Sequence, residues 1–521
     1  MVGDRSGLVA GAGRKSGEDL IHARLAGADY PAWRRQVERV RYCSRPVRIA
    51  GRASAVDTAT GEVAASFSSS SQPDGTLLIA CGDRRSSVCA SCAETYRRDM
   101  WHVVVSGLQG KTSATSSGTR AGVRGATVEA VVPSSVESHP RLFVTLTGPS
   151  FGAVHSARGG AACRSRSGNT RACAHGRPAG CGMVHEAGDQ VIGTPLCEEC
   201  YDYAGTVLWN NACGELWRRT RIGIDRALAP LASAATGERV TGTGVRDLLR
   251  VSYVKVAEFQ KRGVVHLHLV VRLDGVDPEG ADPDGGIVAP PSWATAGLLD
   301  RAVRRAVNGA AVPLPSPDGR LRVAQWGAQL DVADVSAGGP AGDTRRVAAY
   351  IAKYATKTAS SSVSDSGALG SRLRRLHRAW LRRKIGRHLA RMVETAWDLG
   401  RRPDLAHLKL RSWAHTLGFR GHFATKSRRY SVTMGALRAA RRTWRADERA
   451  ASGEADVWAL ARASGADVVG DWSYAGRGYT HPTDAQLAEN MARDHQTALE
   501  EYRDLMRREA ELAEWCDVTG P

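Results

Sequence analysis

The sequence lacks any apolar run close to the ~20 residues that a membrane-spanning helix needs. Its N-terminal segment MVGDRSGLVAGAGRKSGEDL has no continuous apolar stretch, which argues against a secretory signal there. We therefore expect a cytoplasmic protein that makes no membrane contact. In that compartment disulfide bonds are rare, so its cysteines need another explanation.

A phosphate-binding loop and internal repeats are also missing. The stretch GLQGKT (107–112) ends like a Walker motif, but the first glycine of that motif would have to stand at Val105. We therefore expect no nucleotide-driven motor in this chain.

Acidic residues are scarce relative to basic ones: 53 Asp and Glu oppose 72 Lys and Arg, for a net charge of +19. This excess indicates an anionic partner, most simply nucleic acid. Residues 372–445 alone hold 21 basic and three acidic residues. Within this region, Lys426, Arg428 and Arg429 are candidate phosphate contacts, which position DNA without reading its sequence. A solvated basic face is the alternative for any one of them.

Strand and helix patterns mix along the chain without regular βαβ alternation, which predicts an α+β fold. With 521 residues the chain is long enough for several domains. Composition suggests these boundaries: an N-terminal cysteine-containing region with a linker (1–130), a central domain (131–358) with a Cys-rich insertion (163–203), a basic region (359–450) and a helical tail (451–521).

The eleven cysteines are clustered, and two C-x-x-C pairs are typical of zinc sites. We predict two structural zinc sites. The first pair and its partners are Cys89, Cys92, Cys43 and Cys81. The second pair is Cys197 and Cys200, with Cys173 and Cys181 as the nearest partners and Cys163, His175 and His185 as competitors. Cys213 and Cys516 are expected to be ordinary buried residues.

Two histidines stand one residue apart in the apolar run VVHLHLVV, which follows VAEF. The intervening KRG (261–263) is a three-residue hairpin loop with glycine at the left-handed position. This register places Glu258 opposite His266 and Val256 opposite His268. Since side chains alternate along a strand, the carboxylate and both imidazoles share one face. Such a set suits a divalent cation with open coordination positions. The alternative is a solvated polar face.

The stretch RRVAAYIAKYATKT (345–358) predicts an amphipathic helix. Tyr350 and Tyr354 are i, i+4 neighbours on its polar side, with Lys353 and Lys357 beside them. A phenol attacks a phosphodiester only when its developing charge is stabilised. An exposed tyrosine and lysine face is the alternative reading.

Together these stretches resemble the HUH endonuclease superfamily, with three motifs in the family's order. FVTLT (143–147) resembles its first motif, HLHLVV (266–271) its metal motif and YIAKYATK (350–357) its two-tyrosine nucleophile motif. The glutamate before the histidines is similar to a third ligand of some viral members. Other stretches are similar to replication initiators of actinobacterial plasmids and integrative elements: CGDRRSSVCASCAETYRRD, GTPLCEECYDYAG and LGFRGHFATKSRRYSVTMGALRAAR.

The resemblance implies a central antiparallel sheet with flanking helices, zinc-binding insertions and a basic, mostly helical C-terminal part. It implies a rolling-circle initiator in which Glu258, His266 and His268 hold Mg²⁺ or Mn²⁺. A tyrosine would then form a 5′-phosphotyrosine with the origin DNA, and a host helicase would separate the strands. A conjugative relaxase or HUH transposase is one alternative. A non-catalytic, zinc-containing DNA-binding regulator is the other.

Overall fold

The computed structural model describes residues 16–110, 132–163, 172–178, 180–277, 286–336, 344–356, 377–451, 458, 461 and 464–518. The chain divides into two compact units, one of Met1–Glu94 with Trp444–Pro521 and the other of Thr95–Thr443.

The helices and strands of the described residues alternate irregularly and include antiparallel sheets, as expected for a mixed α and β protein. The helices are α1 Gly17–Leu25, α2 Tyr30–Arg39, α3 Ala90–Gln109, α4 Tyr203–Thr236, α5 Val245–Leu248, α6 Ala296–Gly309, α7 Thr344–Thr356, α8 Arg378–Ile385, α9 Arg387–Leu399, α10 Met434–Ala451 and α11 Pro482–Val518. The strands are β1 Val47–Asp57, β2 Val63–Ser68, β3 Leu77–Ile79, β4 Arg141–Thr147, β5 Leu249–Phe259, β6 Val265–Val276, β7 Ile287–Val288, β8 Val312–Leu314, β9 Arg322–Ala324, β10 Leu330–Asp334, β11 Ala424–Lys426 and β12 Ala466–Arg477.

The first unit joins the two ends of the chain in one antiparallel sheet. β1 pairs with β12 on one side and with β2 on the other, and β3 also pairs with β1. The prediction of a helical tail over 451–521 is therefore corrected in part, since β12 lies within it together with the long helix α11. Its partner strand lies more than 400 residues earlier in the chain, so composition alone cannot reveal the pairing.

Charge and apolar packing also connect the ends within this unit. Arg24 forms ion pairs with Asp484 at 2.8 Å and with Asp74 at 3.0 Å, and Asp484 is buried. Trp33 and Val37 of α2 pack against Ala488 of α11. The free energy that holds α11 therefore comes from both apolar burial and a partly buried ion-pair network.

The second unit is built around a sheet with the order β10-β4-β6-β5-β11, in which every pair is antiparallel. β11 belongs to the region 359–450, which composition separated as a domain of its own. That boundary is corrected, because β11 extends the sheet and α9 packs into the core of the same unit.

Each face of this sheet is covered by helices. On one face, Leu267 and Leu269 of β6 pack in the main core together with residues of α4 and α6. On the other face, Val270 lies in a second core with Ile351 of α7 and Val104 of α3. The alternation of β6 therefore directs its leucines to the first core and its histidines toward α7.

The hairpin register is confirmed by the structure. Glu258 pairs with His266 and Val256 pairs with His268. Gln260 N–H donates to the Val264 carbonyl at 2.9 Å, which closes a three-residue loop. Gly263 takes the left-handed conformation, with φ of 75°.

We predict that Gly263→Ala destabilises the protein more than Gly237→Ala. Both glycines have φ near 75°, but only at Gly263 would the added Cβ overlap a neighbour, Met392 Sδ. The control therefore isolates the backbone cost, ~1–2 kcal/mol, from a crowding cost of ~1–3 kcal/mol. Thermal unfolding of both variants is the measurement. Equal losses of stability would show that the turn relaxes around the methyl group.

Candidate active site

The candidate site lies where the β5–β6 hairpin meets α7. His268 Nε2 lies 3.3 Å from Glu258 Oε1, and the rings of His266 and His268 have centroids 4.6 Å apart. One ligand atom from each of the three side chains lies within 4.8 Å of the other two. The predicted metal residues therefore converge as the register requires.

Two threonines of β4 contact the other ring nitrogens of these histidines. Thr145 Oγ1 lies 3.3 Å from His268 Nδ1, and Thr147 Oγ1 lies 3.1 Å from His266 Nδ1. In the sheet, each threonine is the direct partner of its histidine. Because Nδ1 is engaged on both rings, Nε2 remains for a metal ion.

The stretch FVTLT supplies the side chains that contact the histidines, a role that the sequence alone did not reveal. Phe143, Thr145 and Thr147 alternate on the strand and face the histidine side of the sheet. The Phe143 ring lies 6.0 Å from His268 and 5.4 Å from Tyr350. Sequence reasoning missed these positions, although F-x-T-x-T beside H-x-H has the matching two-residue period.

Both tyrosines of α7 lie against His268. The ring centroid of His268 lies 5.1 Å from that of Tyr350 and 4.8 Å from that of Tyr354. The two tyrosine rings are 4.4 Å apart. Tyr350 is 38% exposed, whereas His268 is only 2% exposed. The pair therefore forms the outer layer of the site.

Burial shifts the pKa values of two groups at this site, His266 and Tyr350. It lowers the pKa of His266 to about 3, with smaller contributions from His268 and Arg262. The imidazole is thus neutral near pH 7, which is the form that binds metal. Burial also raises the pKa of Tyr350, as do Tyr354 and Glu258. The phenol is therefore protonated at neutral pH.

Two lysines, Lys353 and Lys357, are predicted to lie beside the tyrosines. Lys353 is exposed on α7, beside the tyrosines in sequence. Lys357 lies outside the described residues.

Nine cysteines and three histidines form three groups with metal-ligand composition among the described residues. The groups are Cys43, Cys81, Cys89 and Cys92; His155, Cys163, Cys181 and His185; and Cys173, His175, Cys197 and Cys200. These groups could hold zinc. In the first group, neighbouring sulfurs lie 3.6–3.8 Å apart, too far for a disulfide bond.

The prediction from spacing grouped Cys181 with Cys197 and Cys200, and this grouping is corrected. The structure places His175 there instead, with Nδ1 3.3 Å from Cys200 Sγ. Cys181 lies 3.1 Å from His185 Nε2 in a separate group. The nearest cysteine in sequence is thus not the nearest in space. Cys213 is buried outside all three groups, as expected, whereas the side chain of Cys516 is not among the described ones.

The three candidate phosphate contacts follow β11 but differ in their surroundings. Lys426 Nζ donates to the carbonyls of Ser431 at 2.7 Å and Arg428 at 3.2 Å. Arg429 is half-buried, and Arg428 is exposed. The structure therefore leaves Arg428 as the member of the three best placed to meet a ligand from solvent.

Comparison with known proteins adds a family relationship to this geometry. The family model described as the replication initiator protein of pSAM2, RepSA, matches residues 29–493. A replication initiator protein of Streptomyces ambofaciens is 38% identical over 505 residues, which covers 95% of this chain and 97% of that protein. No solved structure matches the chain. None of the described helices is long and apolar enough to cross a membrane.

We predict that Arg428→Ala and Lys426→Ala have different effects. Loss of one phosphate contact at Arg428 should reduce the slope of log K against log salt by about one unit. Lys426→Ala should leave the slope nearly unchanged but lower stability by ~1 kcal/mol, because two carbonyls lose a donor. DNA-binding isotherms at several salt concentrations, together with thermal unfolding, are the measurements. A slope lowered equally by both changes would assign a phosphate to Lys426 as well.

Proposed function

The chain belongs to the RepSA family of replication initiators, and we propose that it starts rolling-circle replication by nicking and later rejoining one strand of origin DNA. The proposed reaction passes through a 5′-phosphotyrosine. Mg²⁺ or Mn²⁺ is the proposed catalytic ion, and a host helicase is the proposed partner for strand separation. The family membership supports DNA as the substrate, and the site supports the chemistry.

The observation that carries the proposal is the meeting of a metal-ligand set with two tyrosines in one place. Glu258 and His268 lie 3.3 Å apart, and both tyrosine rings lie about 5 Å from the His268 ring. A regulator that only binds DNA has no use for two phenols over a metal-ligand set. This juxtaposition therefore favours a strand transferase over the non-catalytic alternative.

The residues present fit a divalent cation. Two imidazoles and a carboxylate leave coordination positions open, and a mixed nitrogen and oxygen set is compatible with Mn²⁺ and Mg²⁺. When bound, the ion would neutralise charge on the scissile phosphate. Thr145 and Thr147 contact Nδ1 of the two imidazoles, which would leave each Nε2 to hold that ion.

One tyrosine oxygen attacks the phosphorus, and the bond from phosphorus to the 3′ oxygen breaks. The proton lost by the phenol is balanced by the proton that the leaving 3′ oxygen takes up. Burial and Tyr354 raise the pKa of Tyr350, so this phenol would begin the reaction protonated and would give up its proton in the course of the attack. Lys353 and Lys357 would stabilise the negative charge that develops.

A second tyrosine answers a requirement of the replication cycle. Termination needs a new cleavage while the first tyrosine is still joined to DNA. Tyr350 and Tyr354 have ring centroids 4.4 Å apart, so the second phenol lies beside the same phosphate position. One polypeptide could then carry out both cleavages.

The Cys43, Cys81, Cys89 and Cys92 group is proposed to hold a structural zinc ion in the first unit. Its sulfur separations match the ~3.8 Å edge of a ZnS₄ tetrahedron with 2.3 Å bonds. Such a site is closed to substrate and contributes to folding. Residues on the basic surface, Arg428 among them, are proposed to contact phosphates.

We predict that His266→Ala and His268→Ala each abolish nicking but leave origin binding largely intact, since each removes a ligand without removing basic charge. Thr147→Val should keep the fold and raise the Mn²⁺ concentration needed for nicking about 10–100-fold. The measurements are cleavage of labelled single-stranded origin DNA against metal concentration and Mn²⁺ binding by electron paramagnetic resonance. If Glu258→Ala nicked normally at limiting Mn²⁺, Glu258 would not be the third metal ligand.

We predict that the double variant Tyr350→Phe, Tyr354→Phe forms no covalent adduct, because both phenol oxygens are lost. Either single variant should retain some cleavage. The assay incubates each protein with labelled origin DNA and Mn²⁺ and looks for a product that survives denaturation. Lys353→Ala is the control and should slow adduct formation without abolishing it.

Peptide mapping of the adduct locates the bond. A DNA-linked peptide without either tyrosine would refute the assignment. One inactive and one fully active single variant would indicate a one-tyrosine nickase of the relaxase type. Specific DNA binding by the wild type without any adduct would favour the regulator.

A further inference from the structure

The segment from Pro149 to Asp202 contains two of the Cys/His groups, and their ligands alternate along the chain in pairs. The order is His155 and Cys163, Cys173 and His175, Cys181 and His185, Cys197 and Cys200. The first and third pairs form one group, and the second and fourth pairs form the other. Each group therefore closes loops that contain ligands of the other, which is a cross-braced arrangement.

The distances in one group match those of a zinc tetrahedron, and those in the other are slightly shorter. With bonds of 2.0–2.3 Å, neighbouring ligand atoms should lie about 3.3–3.8 Å apart. His185 Nε2 lies 3.2 Å from His155 Nδ1 and 3.1 Å from Cys181 Sγ. His175 Nδ1 lies 3.3 Å from Cys200 Sγ and 3.7 Å from Cys197 Sγ.

An acidic side chain orients one of the histidines. Asp189 Oδ2 lies 3.2 Å from His185 Nδ1 and also accepts a hydrogen bond from the Glu186 N–H. A carboxylate behind the distal ring nitrogen is the usual support of a zinc-bound histidine. It leaves Nε2, the atom that faces His155 and Cys181, as the ligand.

This segment has almost no apolar core of its own. Among its described residues, the buried ones are Cys163, Gly193, Cys197 and Tyr201, and two of these are members of the groups. Its extended pairing is limited to isolated bridges such as Val154 with Pro195. Small folds without an apolar core need additional stabilisation, such as bound metal ions.

We propose that the described residues between Pro149 and Asp202 form a cross-braced module that binds two zinc ions and fixes the turn of the β5–β6 hairpin. The first ion is held by His155, Cys163, Cys181 and His185, and the second by Cys173, His175, Cys197 and Cys200. Zinc content and turn geometry can both be measured without the nicking reaction, so the two proposals can fail independently.

Contacts between the module and the turn support its positioning role. Lys261 Nζ donates to the Ala187 carbonyl at 2.5 Å, and the Tyr201 hydroxyl donates to the Arg262 carbonyl at 3.2 Å. Arg262 Nη1 donates to the Pro149 carbonyl at 2.7 Å. A Cβ on Gly193 would lie 2.5 Å from the Lys261 carbonyl carbon, so the two backbones are in close contact.

Metal content of the full-length protein tests the two ions. Wild type should contain three zinc ions per chain, including the one proposed in the first unit. X-ray absorption should show an average of three sulfurs and one nitrogen per zinc, because the groups hold nine cysteines and three histidines. If the protein contained two zinc ions per chain with more than three sulfurs per zinc on average, the group that contains His155 would not bind zinc.

The cross-brace itself is tested by alkylating cysteines while a chelator removes zinc in steps. Cys163 and Cys181 should become reactive together, and Cys173, Cys197 and Cys200 should become reactive together. If Cys181 reacted with Cys197 and Cys200 instead, the cross-brace would be wrong. This experiment uses the wild-type chain, so its outcome does not depend on the folding of a variant.

Hydrogen exchange tests the effect on the turn. Cys181→Ser should lose zinc and exchange amides of the peptide 258–268 roughly tenfold faster. Cys43→Ser is the matched control, because it should lose zinc from the first unit and leave that peptide unchanged. Cys213→Ala should keep three zinc ions. Unchanged exchange in Cys181→Ser despite zinc loss would refute the positioning role.

Discussion

Hydrogen bonds that hold the turn between β5 and β6 are the constraint on which the candidate site depends. Asn210 of α4 donates to the Gly263 carbonyl at 2.9 Å and accepts from the Val265 N–H at 3.0 Å. His388 Nε2 of α9 lies 3.1 Å from the Arg262 carbonyl. A slip of one residue in this hairpin would move both His266 and His268 to the other face of the sheet. The turn therefore decides whether a metal-ligand set exists at all.

From this hairpin the site is assembled in layers. β4 lies beside β6 and supplies the threonines that orient the imidazoles, and α7 lies over the same face and supplies the tyrosines. The apolar side of α7, with Ala348, Ile351 and Ala355 buried, keeps its polar side near His268. Helix packing thus determines the position of the phenols, whereas strand pairing determines the position of the ligands.

Partial desolvation shifts the pKa of His266 and the pKa of Tyr350 in opposite directions. It keeps His266 neutral, so that the ring can bind a cation without first losing a proton. It also raises the pKa of Tyr350, whose phenol is protonated at neutral pH in any case.

The amino-acid sequence by itself determined what depends on local geometry. A three-residue loop with glycine at 263 is enough to set the hairpin register, and the i, i+4 spacing is enough to place both tyrosines on one side of a helix. Two of the zinc-type pairs could be read in the same way from C-x-x-C. The role of Thr145 and Thr147 could not, because it depends on which strand lies beside β6.

Only the tertiary structure decided which distant segments meet. β12 pairs with β1, β11 joins the central sheet, and His155 lies with Cys181, whereas Cys197 lies with His175. Spacing favoured the nearest cysteine, but the chain crosses over between the two groups, so nearness in sequence does not measure nearness in space. Non-local contacts are selected by the packing free energy of the whole fold, and no short stretch of sequence contains that information.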